Sequence, residues 1–316
     1  MHNWYKKALK RITWGDTIAL EVIYMEYRIT RDQHHLYMDK ENTPVLTVPN
    51  GSTVIFETWD AMTGRVVDET GTKFFGTGLT NPCTGPLYVE EAEVGDVLKV
   101  DILDIKLNHY GFITCAPGYG AVGDKVSAPQ VLITPIEGDF ARFDENTLLP
   151  LAPMIGTIGT APSGKRYPCQ DPGPGGANMD ITKIKPGSTV YLPVFVKGGL
   201  LSMGDVHAVM GDGEVMGSGS EIAADITVRV EVLKENKLPG ICVVADDTLY
   251  TVASAPTLER CSQIAVADMV KIVMDRKGFD HDKAGMYCGA VGDLHVCQIV
   301  NAMPTVRFGM PLKYLK

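Results

Sequence analysis

The chain lacks the marks by which many enzyme classes announce themselves. It has no GxSxG elbow, no P-loop, no GxGxxG after a strand and no HExxH helix, so no serine-elbow, nucleotide-cradle or zincin chemistry is signalled. The chemistry left is carboxylate and imidazole, the ligand set of a divalent metal with oxygen and nitrogen donors. The seven cysteines, Cys83, Cys115, Cys169, Cys242, Cys261, Cys288 and Cys297, form no CxxC pair and are odd in number, which suits reduced structural thiols in a cytoplasm. No run of about 18 apolar residues occurs, which excludes a transmembrane helix. The opening MHNWYKKALKRITWGD carries basic residues but no uninterrupted apolar stretch of the kind a signal peptide needs. Positive charge is also scarce: 29 Lys and Arg stand against 38 Asp and Glu, a net −9. That balance argues against a nucleic-acid or anionic-membrane partner and leaves small neutral or cationic molecules easier to accept.

What is present describes a folded protein, with 45% hydrophobic and 21% charged residues over 316 positions. That length accommodates two or three packed units. Strands dominate the first two thirds. VPNGSTVIFET, EVGDVLKVDI and IKPGSTVYLPV each show a glycine turn feeding an alternating run. EIAADITVRVEV alternates most cleanly, with Ile222, Ala224, Ile226, Val228, Val230 and Val232 on one face. It reads as one edge of a half-solvated antiparallel sheet, with Glu221 on the solvent-leaning face. The glycine- and proline-rich segment 156–180 reads as an irregular binding loop. After Pro256 the spacing turns helical and stops at Gly278, a shorter helix is expected near 282–289, and a strand follows at LHVCQIV. The expected organisation is a mainly β fold with an N-terminal β part (1–130), a second β part (131–235) and a small α+β C-terminal part (236–316).

The densest candidate chemistry lies in GDVHAVMGDGEVMGSGSEIAAD, residues 204–225. Its five glycines disfavour a helix, each costing about 1 kcal/mol relative to alanine, so short strands and tight turns are expected. Residues two apart on a strand share a face, which pairs Asp205 with His207 and Asp212 with Glu214. Asp180 closes the preceding loop. Acids pointing at one site repel unless a cation or a raised pKa compensates. DQHHLYMDK and ETWDAMTG add His34, His35 and Asp60, although adjacent strand histidines face opposite ways. The later GDLH, with His295, repeats the GDVH spacing without acidic neighbours and reads as structural.

Taken together the motifs resemble the acetamidase/formamidase family, hydrolases of small aliphatic amides. The resemblance is carried by NPCTGPLYVEEAEVGDVLKV (81–100), APMIGTIGTAP (152–162), PGGANMDI (174–181) and VYLPVFVKGGLLSMGDVHAVMGDGEVMGSGSE (190–221). GANMD departs from the expected GGNMD at Ala177, and His295 stands where a basic residue is more usual. The resemblance implies a jelly-roll-like β-sandwich with a second β unit. It also implies hydrolysis of formamide or acetamide to carboxylate and ammonia by a metal-activated water. On that reading Asp60, Asp180, Asp205, His207 and His35 supply metal ligands, with zinc expected and calcium the other candidate. Glu214 acts as general base, with Asp212 next in line and Glu221 a second-tier candidate. Asn178 and Gly176 contact a small neutral amide in a shallow, close-walled pocket. A cytoplasmic homodimer or higher homo-oligomer is expected. Two other readings stand beside it: a metal hydrolase of another C–N bond, such as a larger amide or a urea-like compound, and a non-catalytic β-sandwich holding structural calcium.

Overall fold

A computed structural model of the chain describes residues 12–14, 17–19, 27–66, 78–234 and 238–316, with side-chain placement from residue 27 onward. The expectation for the basic opening segment therefore lies outside the described residues, apart from the backbone of a short strand at Ile12–Trp14, which pairs with Thr17–Ala19 just beyond it. The glycine turns read from the sequence are present. Gly51, Gly95 and Gly187 sit at φ 87°, 96° and 85°, a region that side chains resist and glycine enters freely. They launch the strands Thr53–Thr58, Val97–Leu107 and Thr189–Pro193.

Those strands join a nine-stranded sheet in the order Asp293–Gln298, Thr305–Pro311, Thr248–Ser254, Cys242–Ala245, Thr189–Pro193, Val97–Leu107, Ala224–Leu233, Thr53–Thr58 and Tyr27–Ile29. A second large sheet runs from the hairpin Phe140–Arg142/Leu148–Pro150 through Gln130–Glu137, Tyr110–Cys115, Glu221–Ile222, Leu201–His207, Met154–Gly159 and Gly176–Asn178 to Pro172–Gly173, with Cys83–Val89 also paired to Leu201–His207. One apolar core joins both, drawing Val54, Phe56, Ile226 and Val228 from the first and Ile155, Ile158, Met203 and Val206 from the second. The architecture is mainly β with an α+β C-terminal part, as the sequence indicated. Strands from all three expected segments share the nine-stranded sheet.

Two expectations are corrected. The Ala224–Leu233 strand is no edge: Val97–Leu107 and Thr53–Thr58 pair with it on either side. The segment 156–180 is not wholly irregular, since Tyr167–Pro168, Pro172–Gly173 and Gly176–Asn178 are short strands, too brief to show a period of two. At the C-terminus, helix α1 (Leu258–Lys277) starts at Thr257, whose side chain accepts from Arg260 N, and ends at left-handed Gly278. It buries Cys261, Ala265, Met269 and Val273 in a second core with Phe308 and Met310. Helix α2 (His281–Val291) and the strand Asp293–Gln298 follow. No helix among the described residues is long and apolar enough to cross a membrane.

Candidate active site

The site is built on the wholly buried strand Leu201–His207. Its neighbours align Thr157 opposite Gly204 and Asn178, and Glu221 opposite His207. Three acids enter the site through left-handed backbone: Asp180 at φ 52°, Asp205 at 57° and Glu214 at 43°. Such conformations cost about 1–3 kcal/mol each and persist where the surroundings over-determine them. Gly156 shows why the strand beside them is small. A Cβ there would lie 2.6 Å from Asp180 Oδ1 and 2.7 Å from Asp205 Oδ2, so any side chain would occupy the space in which the carboxylates converge.

Asp180, Asp205, His207, Glu214 and Glu221 are all buried. They form two overlapping groups, Asp180–Asp205–His207 and His207–Glu214–Glu221, each offering donor atoms within 4.8 Å of one another. His207 Nε2 lies 3.6 Å from Asp205 Oδ1 and 3.0 Å from Glu221 Oε2. Neither contact is aligned as a hydrogen bond, so Asp180 Oδ1, Asp205 Oδ1, Glu221 Oε2 and both ring nitrogens of His207 stay buried without hydrogen-bond partners. Asp205 Oδ2 is satisfied, taking Asn81 Nδ2 at 2.6 Å and facing the Thr157 hydroxyl at 3.1 Å.

Desolvation governs the titration of this cluster. Burial, then repulsion from Glu214 and Asp205, pushes Asp180 well above the carboxylate range. Burial and Asp205 lift Glu214 to about 7 against the pull of His207. Burial, Asp205 and Glu214 lift Glu221 to about 8. Asp205 goes the other way: burial opposes ionisation, but His207 and its hydrogen bonds outweigh it. The surrounding carboxylates in turn hold His207 well above its ordinary value despite burial. The site thus gathers more negative charge than one imidazole can balance.

Glu214 and Glu221 of the cluster line a cavity of about 610 Å³ whose walls include Thr80, Asn81, Tyr119, Gln170, Asn178 and Asn301. This is more space than formamide or acetamide fills, so the shallow, close-walled pocket expected from the glycines is not what encloses the site.

The other sequence candidates lie outside the two donor groups. Asp60 accepts from the backbone N–H groups of Met62 and Gly64 and belongs to neither donor group. His35 bonds Ser202 Oγ at 2.9 Å. Asp212, expected to project with Glu214, instead takes Arg307 through both oxygens, at 2.9 and 2.6 Å, and the Thr182 hydroxyl at 2.7 Å. Gly176 is buried in strand pairing, and a Cβ there would meet Ile158 O at 2.4 Å. The solvent-facing placement of Glu221 is corrected. The chain changes sheets at Ala223, so Glu221 pairs with His207 instead of continuing the face of the next strand. Asn81, Thr157, Tyr119 and Asn301 were not found from the sequence. Asn81 and Thr157 carried some signal, lying in the NPCTGP and APMIGTIGTAP blocks.

Fold and cluster define a class: a two-sheet β protein with a buried acid–imidazole centre beneath a polar cavity. Within that class the chain belongs to the Acetamidase/Formamidase family, whose sequence model matches residues 27–167 and 170–248. It is similar to the crystal structure of an acetamidase from Bacillus halodurans, at 44% identity and a TM-score of 0.87 over 91% of this chain and 98% of that one. A predicted acetamidase/formamidase from Thermoanaerobacter tengcongensis superposes at 35% identity and a TM-score of 0.89, covering 92% and 97%. Among curated relatives, a formamidase from Methylophilus methylotrophus is 29% identical over an alignment of 212 residues, with 48% of this chain and 51% of that protein covered. The chain thus spans about half the length of the curated relatives it matches.

Proposed function

We propose that this protein hydrolyses small aliphatic amides, formamide and acetamide among them, to carboxylate and ammonia, using a divalent metal ion held by the buried cluster. The family and the formamidase and acetamidase names of its relatives support the reaction class. The observation that carries the metal is the set of buried donor atoms without partners on Asp180, Asp205, His207 and Glu221. Burying uncompensated charge costs several kcal/mol per ion, and a cation would relieve the donor group it occupied, Asp180–Asp205–His207 or His207–Glu214–Glu221, the two sharing His207. An imidazole nitrogen among carboxylates suits zinc better than calcium, which prefers oxygen alone.

Asp180, Asp205 and His207 are the proposed ligands, with Glu221 as the further donor beside the imidazole. When bound, the ion supplies Lewis-acid polarisation of the amide carbonyl and lowers the pKa of water from 15.7 toward about 7. Glu214, poised near neutrality by burial, takes the proton from the attacking water and delivers it to the leaving nitrogen. General acid–base transfer of this kind contributes about 10²- to 10⁴-fold. Asn81 holds Asp205 in place through its 2.6 Å bond. Asp212, neutralised by Arg307, has no part in the proton path.

The test is ammonia release from a series running from formamide and acetamide to butyramide and benzamide, before and after prolonged chelation, with elemental analysis of each sample. Activity on the small amides is expected to vanish with the metal and return with one divalent ion. Full turnover by protein shown to be metal-free overturns the mechanism.

A further inference from the structure

Three asparagines line the cavity: Asn81, Asn178 and Asn301. Their amide groups are committed differently. Asn178 is used within the protein, its Nδ2 donating to Gln170 O at 3.2 Å and its Oδ1 accepting from the Thr157 hydroxyl at 3.0 Å. Asn81 donates to Asp205 Oδ2. Asn301 donates from Nδ2 to the backbone oxygen of Asn178 at 3.3 Å and to Asp180 Oδ2 at 3.2 Å. A backbone carbonyl can only accept, so it fixes the Asn301 amide with its NH₂ toward the protein. That leaves the oxygen as the end of the amide with no partner among the described residues, on a side chain that lines the cavity.

The backbone that carries this oxygen is also held. Gln298, fully buried, accepts through Oε1 from the N–H groups of Val300 at 2.9 Å and Asn301 at 3.0 Å. It donates through Nε2 to Met303 O at 2.7 Å and Thr305 Oγ1 at 3.1 Å. One side chain thus braces the whole turn. Residue 301 lies beyond the stretch matched by the family model, so the C-terminal α+β part adds a wall to a site built by the β body.

We propose that Asn301 is a specificity-determining residue whose Oδ1 accepts an N–H of the bound substrate, so that the site takes unsubstituted carboxamides in preference to esters of the same size. The inference rests on the amidase reading above. An amide and a methyl ester present the same carbonyl acceptor, but only the amide brings donors. An ester leaves the Asn301 oxygen unpaired, and sites that hydrogen-bond one ligand reject the analogue lacking that group.

The experiment compares KM for acetamide with Ki for methyl acetate as a competitor of acetamide, in the wild type, Asn301→Ala and Asn301→Leu. The leucine fills the same space without an acceptor and excludes a substituting water. Both variants are expected to raise KM for acetamide about tenfold while Ki for methyl acetate stays within about twofold. Equal shifts for both ligands would reduce Asn301 to a support for Asp180 and overturn the proposal, as would no shift in either. If Asn301→Ala loses its melting transition, Asn301→Leu and Asn301→Thr carry the same comparison. A metal-loaded wild type that does not turn over acetamide overturns the amidase reading itself. Turnover without a selective shift overturns only the role of Asn301.

Discussion

Asp212 and Glu214 stand two residues apart in the same glycine-rich turn, and the fold treats them in opposite ways. Asp212 receives the guanidinium of Arg307, which is itself fully buried, and keeps 39% of its side chain in solvent. Although its partial burial opposes ionisation, Arg307 and Thr182 hold it below the carboxylate range. Glu214 is 8% exposed and shares the single imidazole of His207 with Asp180, Asp205 and Glu221. One acid is neutralised from within the chain. The other belongs to a group whose charge the protein leaves for something else to balance. The difference separates an acid that holds the turn from one available to move a proton.

The sharpest way to break this contrast is to remove the shared imidazole. His207→Ala is expected to lose bound metal and to reduce kcat/KM by more than about 10³-fold. Elemental analysis alongside ammonia release checks it, and retained metal would take His207 out of the ligand set. Next in size is Glu214→Gln, which keeps the shape and is expected to lower kcat by about 10²- to 10⁴-fold with metal content intact. Loss of metal in that variant makes Glu214 a ligand and moves the base role to Glu221, which is buried beside His207.

A smaller effect should appear in the pH dependence of stability of the chelated protein. Glu214 and Glu221 have folded values of about 7 and about 8 against an ordinary 4.5, so the folded state binds their protons more tightly than the unfolded one. That stability is complete below the ordinary value and is lost as pH rises through the folded values. His207, also raised, acts in the same sense above its ordinary value. Melting temperatures of metal-free protein should therefore fall between about pH 5 and about pH 8.5, and a divalent ion should flatten the fall. A rise across that window contradicts the desolvation account. The smallest effect belongs to Asp212→Asn. Breaking a pair whose carboxylate is partly exposed should cost about 1–2 kcal/mol of stability and leave kcat within a few-fold. A loss of kcat comparable to that of Glu214→Gln would return Asp212 to the catalytic machinery.

Much of the fold could be read directly because its signals are local. Alternation marks the strands, a positive-φ glycine precedes three of them, and Thr257 and Gly278 bracket α1. The cluster was partly legible for the same reason: Asp205, His207 and Glu214 fall within ten consecutive residues. What could not be read depends on distance. Glu221 lies at the head of an unbroken alternation, and only the crossing of the chain between sheets at Ala223 reveals that it faces His207. The partner of Asp212 is 95 residues away, and Asn301 reaches Asp180 across 121. Ala177 is a different case. It replaces the glycine expected in GANMD yet adopts φ 74°, so the backbone keeps the conformation that made glycine the expected residue.

The return of the C-terminal hairpin to the site also orders events during synthesis. Gly213 donates to Cys297 O and Ile299 to Gly213 O, while Arg307 neutralises Asp212 and Asn301 reaches Asp180. A nascent chain that stops short of this hairpin has already exposed all four acids and the histidine of the cluster, but none of these late partners. Since N-terminal parts emerge and begin to fold first, the nascent chain passes through a stage that presents the ligands without their last wall. Contacts spanning such separations form slowly. Closure of the centre is thereby tied to the arrival of this hairpin, whose two strands serve as its latch.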